Sequence, residues 1–199
     1  VRSRGLGDVY KRQMSRCRSS ASRYAPSPTA LTMSSEKHTA RVEHEFPPVF
    51  DENSRVLILG TIPSPKSRER GFYYMHPQNR FWRMLSEVLG EETPADITGR
   101  REMCLRRGVA LWDVLAECSI DGASDSSIKN AVPNRLDTIF QQADIRAVFT
   151  TGKKAQALYE RFFPDSMKAV CLPSTSPANR TISEAEMLEK YRQISDYLP

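Results

Sequence analysis

The sequence predicts an α/β fold, a three-layer α/β/α sandwich around a central, mostly parallel sheet of four strands. Four short, almost continuously apolar runs recur along the chain, and amphipathic segments lie between them. A continuous apolar run is typical of a strand that is covered on both faces, as in a parallel sheet flanked by helices. The length of 199 residues and the hydrophobic content of 39% suit one such domain.

The four predicted strands are spaced so that a helix fits between them. They are "RVLILG" at 55–60, "GVALWDV" at 108–114, "IRAVFT" at 145–150 and "KAVCLP" at 168–173. Four helices are predicted from apolar residues at helical spacing; Gly90 ends the first, and Ser183 with Glu186 forms a capping box at the start of the last. Their apolar faces are Phe81, Leu85, Val88 and Leu89; Leu136, Ile139, Phe140 and Ala143; Ala155, Leu158, Tyr159 and Phe162; and Leu188, Tyr191, Ile194 and Leu198.

The net charge of +5 comes from the first part of the chain. Residues 1–45 hold nine Lys or Arg and four Asp or Glu, which leaves 20 basic and 20 acidic residues in 46–199. This Ser/Arg-rich segment has no apolar periodicity, and we expect a disordered leader followed by a folded domain at 46–199. Its first thirteen residues resemble translated sequencing-adapter read-through, so part of it is expected to be non-native, with Met14 or Met33 as the start. A transit peptide and a DNA-sampling arm stay open.

Cysteine spacing and loop sequence exclude several kinds of cofactor site. Cys17, Cys104, Cys118 and Cys171 form no CxxC pair, which argues against a zinc or iron–sulfur site of four thiolates and favours buried thiols in a reducing cytoplasm. The stretch "TTGKKAQ" at 150–156 has one Gly and lacks phosphate-loop spacing. We therefore expect no metal and no cofactor. No stretch approaches the ~18 apolar residues of a membrane span, so a soluble protein is expected.

Two loops stand out, "GTIPSPKSRERGFYYMHPQNRFW" at 60–82 and "PSTSPANR" at 173–180. Each follows a predicted parallel strand, and ligands bind beyond the carboxyl ends of such strands, so the two loops are expected to share one cleft. Each residue also has an ordinary explanation: Asn79 as a helix N-cap, Trp82 as a core anchor, and "STSPAN" as a turn. None of these explanations accounts for both loops falling at the same edge of the sheet.

These two stretches resemble the signature motifs of the uracil-DNA glycosylase superfamily, and most closely its hypoxanthine-DNA (deoxyinosine) glycosylase branch. The resemblance covers Phe46 to Pro199 and implies a monofunctional glycosylase of DNA repair, which hydrolyses the N-glycosidic bond of a flipped-out deaminated base. Ile62 in "GTIP" stands where mismatch-type relatives carry the Asn of "GINP". The resemblance therefore transfers the catalytic, water-positioning role to Asn79. The cysteine set of the iron–sulfur relatives is missing here.

The resemblance also implies the binding residues. A base pocket is expected from Gly60, Thr61, Ile62, Pro63, Ser64, Tyr74, His76 and Phe81. DNA contacts are expected from Lys66, Ser67, Ser174, Thr175, Ser176, Pro177, Ala178, Asn179 and Arg180. Tyr74 is the first choice for the ring that stacks on the base, Phe81 is the second, and Tyr73 stays open. Lys66 as the Schiff-base nucleophile of a lyase is the alternative to a phosphate contact.

The expected partner is DNA containing deaminated bases, and the expected protein is a cytoplasmic monomer that contacts neither metal nor membrane. Hypoxanthine is the preferred base by resemblance alone. A uracil or mismatch-specific thymine/uracil glycosylase, a DNA-binding module without catalysis, and a small-molecule hydrolase of the same fold are the alternatives. An abasic-site assay separates an enzyme from a binding module.

Overall fold

The structure, a computed structural model, describes residues 39–199. Residues 1–38, most of the predicted leader, lie outside the described residues. The strands are β1 (Ala40–Glu43), β2 (Val56–Gly60), β3 (Val109–Asp113), β4 (Leu115–Ile120), β5 (Lys129–Pro133), β6 (Ala147–Thr151) and β7 (Ala169–Leu172). The α-helices are α1 (Pro65–Arg70), α2 (Phe81–Leu89), α3 (Ile97–Arg106), α4 (Asp137–Phe140), α5 (Lys153–Phe162) and α6 (Glu184–Arg192).

The predicted four-stranded parallel sheet is confirmed, with the strand order β3-β2-β6-β7. All three pairings are parallel, and β2 lies in the middle between β3 and β6. The carboxyl ends of the four strands therefore meet at one edge of the sheet. The loops that follow β2 and β7 are the two loops singled out in the sequence.

Two apolar cores cover the two faces of this sheet, as a three-layer sandwich requires. Val56 and Ile58 of β2 face a core that α2, α3 and α6 complete. Leu57 and Leu59, the alternate residues of the same strand, face a second core that includes residues of α4 and α5. Every residue of β2 is buried, which agrees with an apolar run that is covered on both faces.

The predicted helices are present, with differences in length. Helix α2 ends at Gly90, and Ser183 with Glu186 forms the predicted capping box of α6. The second predicted helix shortens to the four residues of α4, although Leu136, Ile139 and Ala143 are buried as expected. Helices α1 and α3 were not predicted; Ser64 and Asp96 cap them. None of the helices in the described part of the chain is long and apolar enough to cross a membrane.

A second sheet, antiparallel and with the strand order β1-β4-β5, was missed by the sequence analysis. It corrects the predicted domain start at residue 46, because β1 pairs with β4 from Ala40 to Glu43. Only Val42 of the four β1 residues is buried. The strand therefore has no apolar pattern by which it could be recognised in the sequence. Backbone pairing with β4, from Ala40 opposite Ile120 to Glu43 opposite Glu117, holds it instead.

The thiols are partly as predicted. Cys104 and Cys118 are free and buried, as expected. Cys171 is free but exposed, because it lies on β7, the last strand of the parallel sheet. Cys17 falls outside the described residues.

Candidate active site

A cavity of about 320 Å³ lies at the carboxyl ends of the parallel strands, where the two predicted loops meet. The structure thus brings together most of the residues that the sequence analysis singled out. Those that line the cavity are Gly60, Thr61, Ile62, Pro63, Ser64, Ser67, Tyr74, His76, Asn79, Ser174, Thr175, Ser176, Pro177 and Ala178.

Four predicted site residues lie elsewhere. Phe81 is fully buried behind Tyr74 and is not part of the cavity lining. Asn179 and Arg180 line a neighbouring groove, which Asn79 and Pro177 share with the cavity. Lys66 is exposed on α1 and forms an ion pair with Glu69, with Nζ and Oε2 2.6 Å apart.

Asn79 lies at the start of α2, and its carboxamide is already engaged there. Asn79 Oδ1 accepts a hydrogen bond from the Phe81 backbone N–H at 2.9 Å, and the Asn79 backbone N–H donates to the His76 carbonyl at 2.8 Å. Asn79 lies one residue before the N-cap residue, Arg80, whose side chain makes no capping bond, and the Asn79 oxygen satisfies the first N–H of the helix in its place. Because the helix N–H uses one of the two lone pairs of Oδ1, the other lone pair and the Nδ2 amine are left for a cavity ligand. Among the described residues the amine has no hydrogen-bond acceptor.

Tyr74 lies in an unusual backbone conformation, with φ at +56°. Bulky residues rarely adopt this left-handed region. Residues that are held in such rare backbone conformations cluster at functional sites. One face of the ring stacks on Phe81, while the hydroxyl forms a hydrogen bond with Thr151 Oγ1 at 3.1 Å. Burial, the main cause, and the nearby carboxylate of Asp113 raise the pKa of Tyr74, so the hydroxyl stays protonated.

The two loops are tied to each other by hydrogen bonds through Arg80. The Arg80 backbone N–H donates to the Thr175 carbonyl at 3.2 Å, and Arg80 Nη2 donates to the Asn179 carbonyl at 2.7 Å. Within the second loop, Asn179 Nδ2 donates to the Ser174 carbonyl at 2.8 Å. Arg80 therefore fixes the position of the second loop relative to the first. The side chain of Asn179 stabilises the second loop internally.

The sequence analysis missed two carboxylates in the cavity lining, Asp113 and Asp125. Asp113 ends β3 and is buried; its Oδ2 lies 2.9 Å from His44 Nε2. Asp125 accepts a hydrogen bond from Thr61 Oγ1 at 3.2 Å. Asp125 is exposed as a whole residue, but partial desolvation of its carboxyl at the cavity, the main cause, and the nearby Asp113 raise its pKa. An acidic residue at the end of an apolar strand was the available signal for Asp113.

Within residues 39–199, no group of three or more His, Cys, Asp or Glu side chains is arranged to hold a metal ion. The polar groups around the cavity are hydroxyls, amides, the ring of His76, the guanidinium of Arg68 and two separate carboxylates. These groups can orient a polar, planar ligand by hydrogen bonds, and the ring of Tyr74 can stack on it.

Comparison with known proteins connects this cavity to a family. The Uracil DNA glycosylase superfamily matches residues 47–197. Hypoxanthine DNA glycosylase of Methanosarcina barkeri is 34% identical to this chain over 137 residues, which are 68% of this chain and 87% of that protein. Hypoxanthine DNA glycosylase of Methanosarcina acetivorans is 31% identical over 145 residues, 72% of this chain and 92% of that protein.

A solved structure agrees with these relatives. The solution NMR structure of a protein from Methanosarcina acetivorans, provisionally assigned as a uracil DNA glycosylase, has a TM-score of 0.66 and 30% sequence identity to this chain. The match covers 77% of this chain and 98% of that one. The fold is therefore shared over almost the whole of the neighbouring structure.

Proposed function

The chain belongs to the Uracil DNA glycosylase superfamily and is a DNA glycosylase, and we propose that it hydrolyses the N-glycosidic bond of hypoxanthine flipped out of DNA. One observation carries the proposal: both signature loops line one cavity, with a stacked aromatic ring and a helix-capping Asn at its wall. The two curated relatives named hypoxanthine DNA glycosylase support the choice of base.

The cavity suits a flipped base. An enzyme that acts on a base in a duplex must extrude it, at a cost of a few kcal/mol, and then hold it by stacking and by hydrogen bonds to its edge. A cavity of about 320 Å³ admits a purine. We assign the stacking role to Tyr74, because Phe81 covers only one of its faces and the residue lines the cavity.

The proposed reaction breaks the bond between the sugar C1′ and the base nitrogen. The bonding electrons leave with the base, and the sugar becomes oxocarbenium-like, as in other glycoside cleavage. Water then bonds to C1′ and loses a proton to solvent, while the departing base takes up a proton. A cation of this kind accepts a weak nucleophile, so positioning and electrostatics supply most of the rate.

Asn79 is the proposed catalytic residue of this step. Its Nδ2 amine can donate a hydrogen bond to the departing base, and the second lone pair of Oδ1 can accept one from water and aim it. The contact of Oδ1 with the Phe81 N–H holds the carboxamide in one orientation, so little conformational freedom is lost when substrate binds. The backbone N–H groups of Thr61, Ile62 and Ser64 and the ring of His76 are further candidate donors to the base.

The second loop is proposed to hold the distorted DNA. Ser174 and Ser176 offer hydroxyls for phosphates, and residues 177–179 form a turn that can fill the gap left by the base. Thr175, predicted to contact DNA, is buried and is therefore left out of this set. Lys66 and Arg180 are proposed to add phosphate contacts, so binding weakens as salt rises. Ser67, predicted to contact DNA, is buried, and its hydroxyl accepts from the Met75 N–H inside the first loop instead. We propose that the protein acts on DNA as a monomer in the cytoplasm.

The test is base release from oligonucleotides that carry hypoxanthine, xanthine, uracil or mismatched thymine, followed by alkaline cleavage of abasic sites. With EDTA present, we expect hypoxanthine to be released fastest. Faster release of uracil than hypoxanthine in every sequence context would assign the uracil alternative. Tight binding without abasic product from any of the four would leave a DNA-binding module instead of an enzyme.

A further inference from the structure

The proposed reaction gives a proton to the departing base, and Asn79 cannot supply one. A carboxamide, a peptide N–H, an aliphatic hydroxyl or a guanidinium donates hydrogen bonds but does not release a proton near neutral pH. Burial, the main cause, raises the pKa of both tyrosine hydroxyls in the cavity lining, which excludes them as well. His76 Nδ1 accepts from a backbone N–H of its own loop at 3.2 Å, so this ring is neutral and has no surplus proton. The two carboxyl groups in the lining, Asp113 and Asp125, remain as proton sources.

Asp125 reaches the cavity from the turn between β4 and β5, a segment outside both signature loops. It starts the short 3₁₀ turn Asp125–Ser127 and lines the cavity. Thr61 Oγ1 donates to Asp125 Oδ2 at 3.2 Å. That is the only hydrogen bond to this carboxyl from within residues 39–199, so Oδ1 is left to carry a proton. In a cavity of about 320 Å³, a purine that fills the space lies close to each part of the wall.

The two carboxyl groups have different surroundings. Asp113 Oδ2 lies 2.9 Å from Nε2 of His44, which can balance the charge of a carboxylate, whereas Asp125 has only a neutral hydroxyl as its partner. Partial desolvation, the main cause, and the charge of Asp113 raise the pKa of Asp125, while the Thr61 hydroxyl and Lys154 oppose this. Two carboxyl groups in such unlike environments divide into an acid and an ionised partner. Further titratable or charged side chains around Asp125 are those of Cys118, Arg68, His76, Tyr73 and Tyr74.

A departing purine differs from a departing pyrimidine in where it takes up a proton. Hypoxanthine has a lone pair at N7, and a proton there draws the electrons of the C1′–N9 bond into the ring. Uracil has no such nitrogen, because its N1 is bonded to the sugar and its N3 already carries hydrogen. A proton source in the cavity therefore assists the release of a purine more than the release of uracil.

We infer that Asp125 is a further catalytic residue of this cavity, the general acid that gives a proton to N7 of the departing purine. The O–H bond of the Asp125 carboxyl breaks and an N7–H bond forms, while the electrons of the C1′–N9 bond pass to N9. Hypoxanthine thus leaves as a neutral base, and Asp125 is left as a carboxylate. Water bonds to C1′ and loses a proton to solvent, from which Asp125 is protonated again. The inference rests on the proposed function and deepens it by naming the source of the proton.

The first test compares hypoxanthine with 7-methylhypoxanthine, whose five-membered ring is already cationic and needs no proton to depart. Single-turnover release of both bases from oligonucleotides is measured for the wild type and for Asp125→Asn, after subtraction of spontaneous release. Asparagine keeps the shape of the side chain and cannot give up a proton. We expect Asp125→Asn to lower hypoxanthine release about 10²-fold to 10⁴-fold, the usual contribution of a general acid, and to release 7-methylhypoxanthine close to the wild-type rate. Asp121→Asn, in the same turn but outside the cavity lining, is the matched control and should release both bases at the wild-type rates.

The second test is the pH profile of hypoxanthine release, and its wild-type arm decides the matter even if Asp125→Asn does not fold. A general acid acts in its protonated form, so the wild-type rate should rise as the pH falls toward the raised pKa of Asp125 and level off below it. This rise should be absent from folded Asp125→Asn. A wild-type rate that does not rise toward acid pH would overturn the inference, and so would the same rise in Asp125→Asn, which would assign it to another group.

The outcomes separate the inference from the function on which it rests. Equal losses of hypoxanthine and 7-methylhypoxanthine release in folded Asp125→Asn would overturn the inference alone, because a role in binding or structure lowers both rates. An unchanged hypoxanthine rate in that variant would do the same. No release of hypoxanthine by the wild type at any pH would defeat the proposed function and the inference with it. Melting temperatures establish that each variant is folded.

Discussion

The ring of Tyr74 lies flat on the ring of Phe81, with centroids 3.7 Å apart and planes 14° apart. Phe81 is fully buried at the first turn of α2, so the core fixes the height and tilt of Tyr74 at the cavity wall. Rigid support of this kind reduces the side-chain entropy that is lost when a ligand stacks. Phe81 thus supports the ring of Tyr74 from the core, and Tyr74 presents its ring to the cavity.

Replacing the ring of Tyr74 should weaken the binding of damaged DNA. Base–aromatic stacking contributes ~1–3 kcal/mol per base, so Tyr74→Leu should lower the affinity for hypoxanthine DNA about 5-fold to 150-fold. Tyr74→Phe keeps the ring and loses only the contact with Thr151, so its affinity should stay close to that of the wild type. Affinities for hypoxanthine DNA and abasic DNA are measured side by side. Equal losses in the Leu and Phe variants would show that the hydroxyl matters and the ring does not.

Trp82 should act in stability and not in catalysis. Its indole Nε1 donates to the Tyr73 carbonyl at 3.0 Å, and its ring stacks on Phe72 with centroids 5.7 Å apart. Trp82→Ala should lower the free energy of unfolding by ~3–5 kcal/mol, as truncation of a large core side chain does. Urea denaturation measures this. A stable Trp82→Phe protein that no longer releases base would contradict the structural role.

The parallel sheet could be predicted because its strands are buried on both faces. The run 56–60 is apolar at almost every position, and this pattern does not depend on the rest of the chain. The antiparallel sheet could not be predicted in the same way. Strand β5 has no fully buried residue, and β4 alternates irregularly and has register shifts against β5. Such strands are defined by distant backbone pairing, which leaves little signal in the local sequence.

The loops of the candidate site could be predicted because polar and aromatic residues are concentrated after β2 and β7. Asp113 and His44 could not, because each is one polar residue at the edge of a short segment and they lie 69 positions apart. Phe81 shows the opposite difficulty. A sequence does not show whether an aromatic residue next to a site lines the cavity or packs behind another residue that lines it.

Truncated chains should show that the leader is dispensable and that β1 is needed for stability. A chain that starts at Met33 keeps Ala40–Glu43 and His44, and we expect it to fold and to release base with the wild-type pH profile. A chain that starts at Phe46 loses both, which leaves Asp113 as a buried carboxylate without its partner. A buried acceptor left without its hydrogen-bond donor costs ~1–3 kcal/mol, and the pairing of β1 with β4 is lost as well, so the melting temperature should fall steeply. Equal melting temperatures for the two chains would contradict this account of β1.

Asn79 should contribute to stability and to catalysis by amounts that can be separated. Loss of the cap on the Phe81 N–H predicts that Asn79→Ala lowers stability by ~1 kcal/mol, and that Asn79→Ser and Asn79→Asp restore it. Loss of a hydrogen bond to the transition state predicts a ~10²–10³-fold fall in the single-turnover rate of Asn79→Ala. Asn79→Ser should cap the helix and stay poorly active, because a hydroxyl is too short to replace the carboxamide. Asn79→Asp should keep some activity, because a carboxylate can orient water.

Asp96 provides the matched control, since its Oδ1 caps α3 by accepting from the Gly99 N–H at 2.7 Å and it does not line the cavity. Asp96→Ala should lose a similar ~1 kcal/mol of stability and no activity. Melting temperature, abasic-DNA affinity and single-turnover release are compared across the four variants. Abasic-DNA affinity should persist in all of them, because the missing base leaves nothing for Asn79 to act on. A stable Asn79→Ser protein with the wild-type rate would restrict Asn79 to its capping role and make His76 the next candidate, since its ring lines the same cavity.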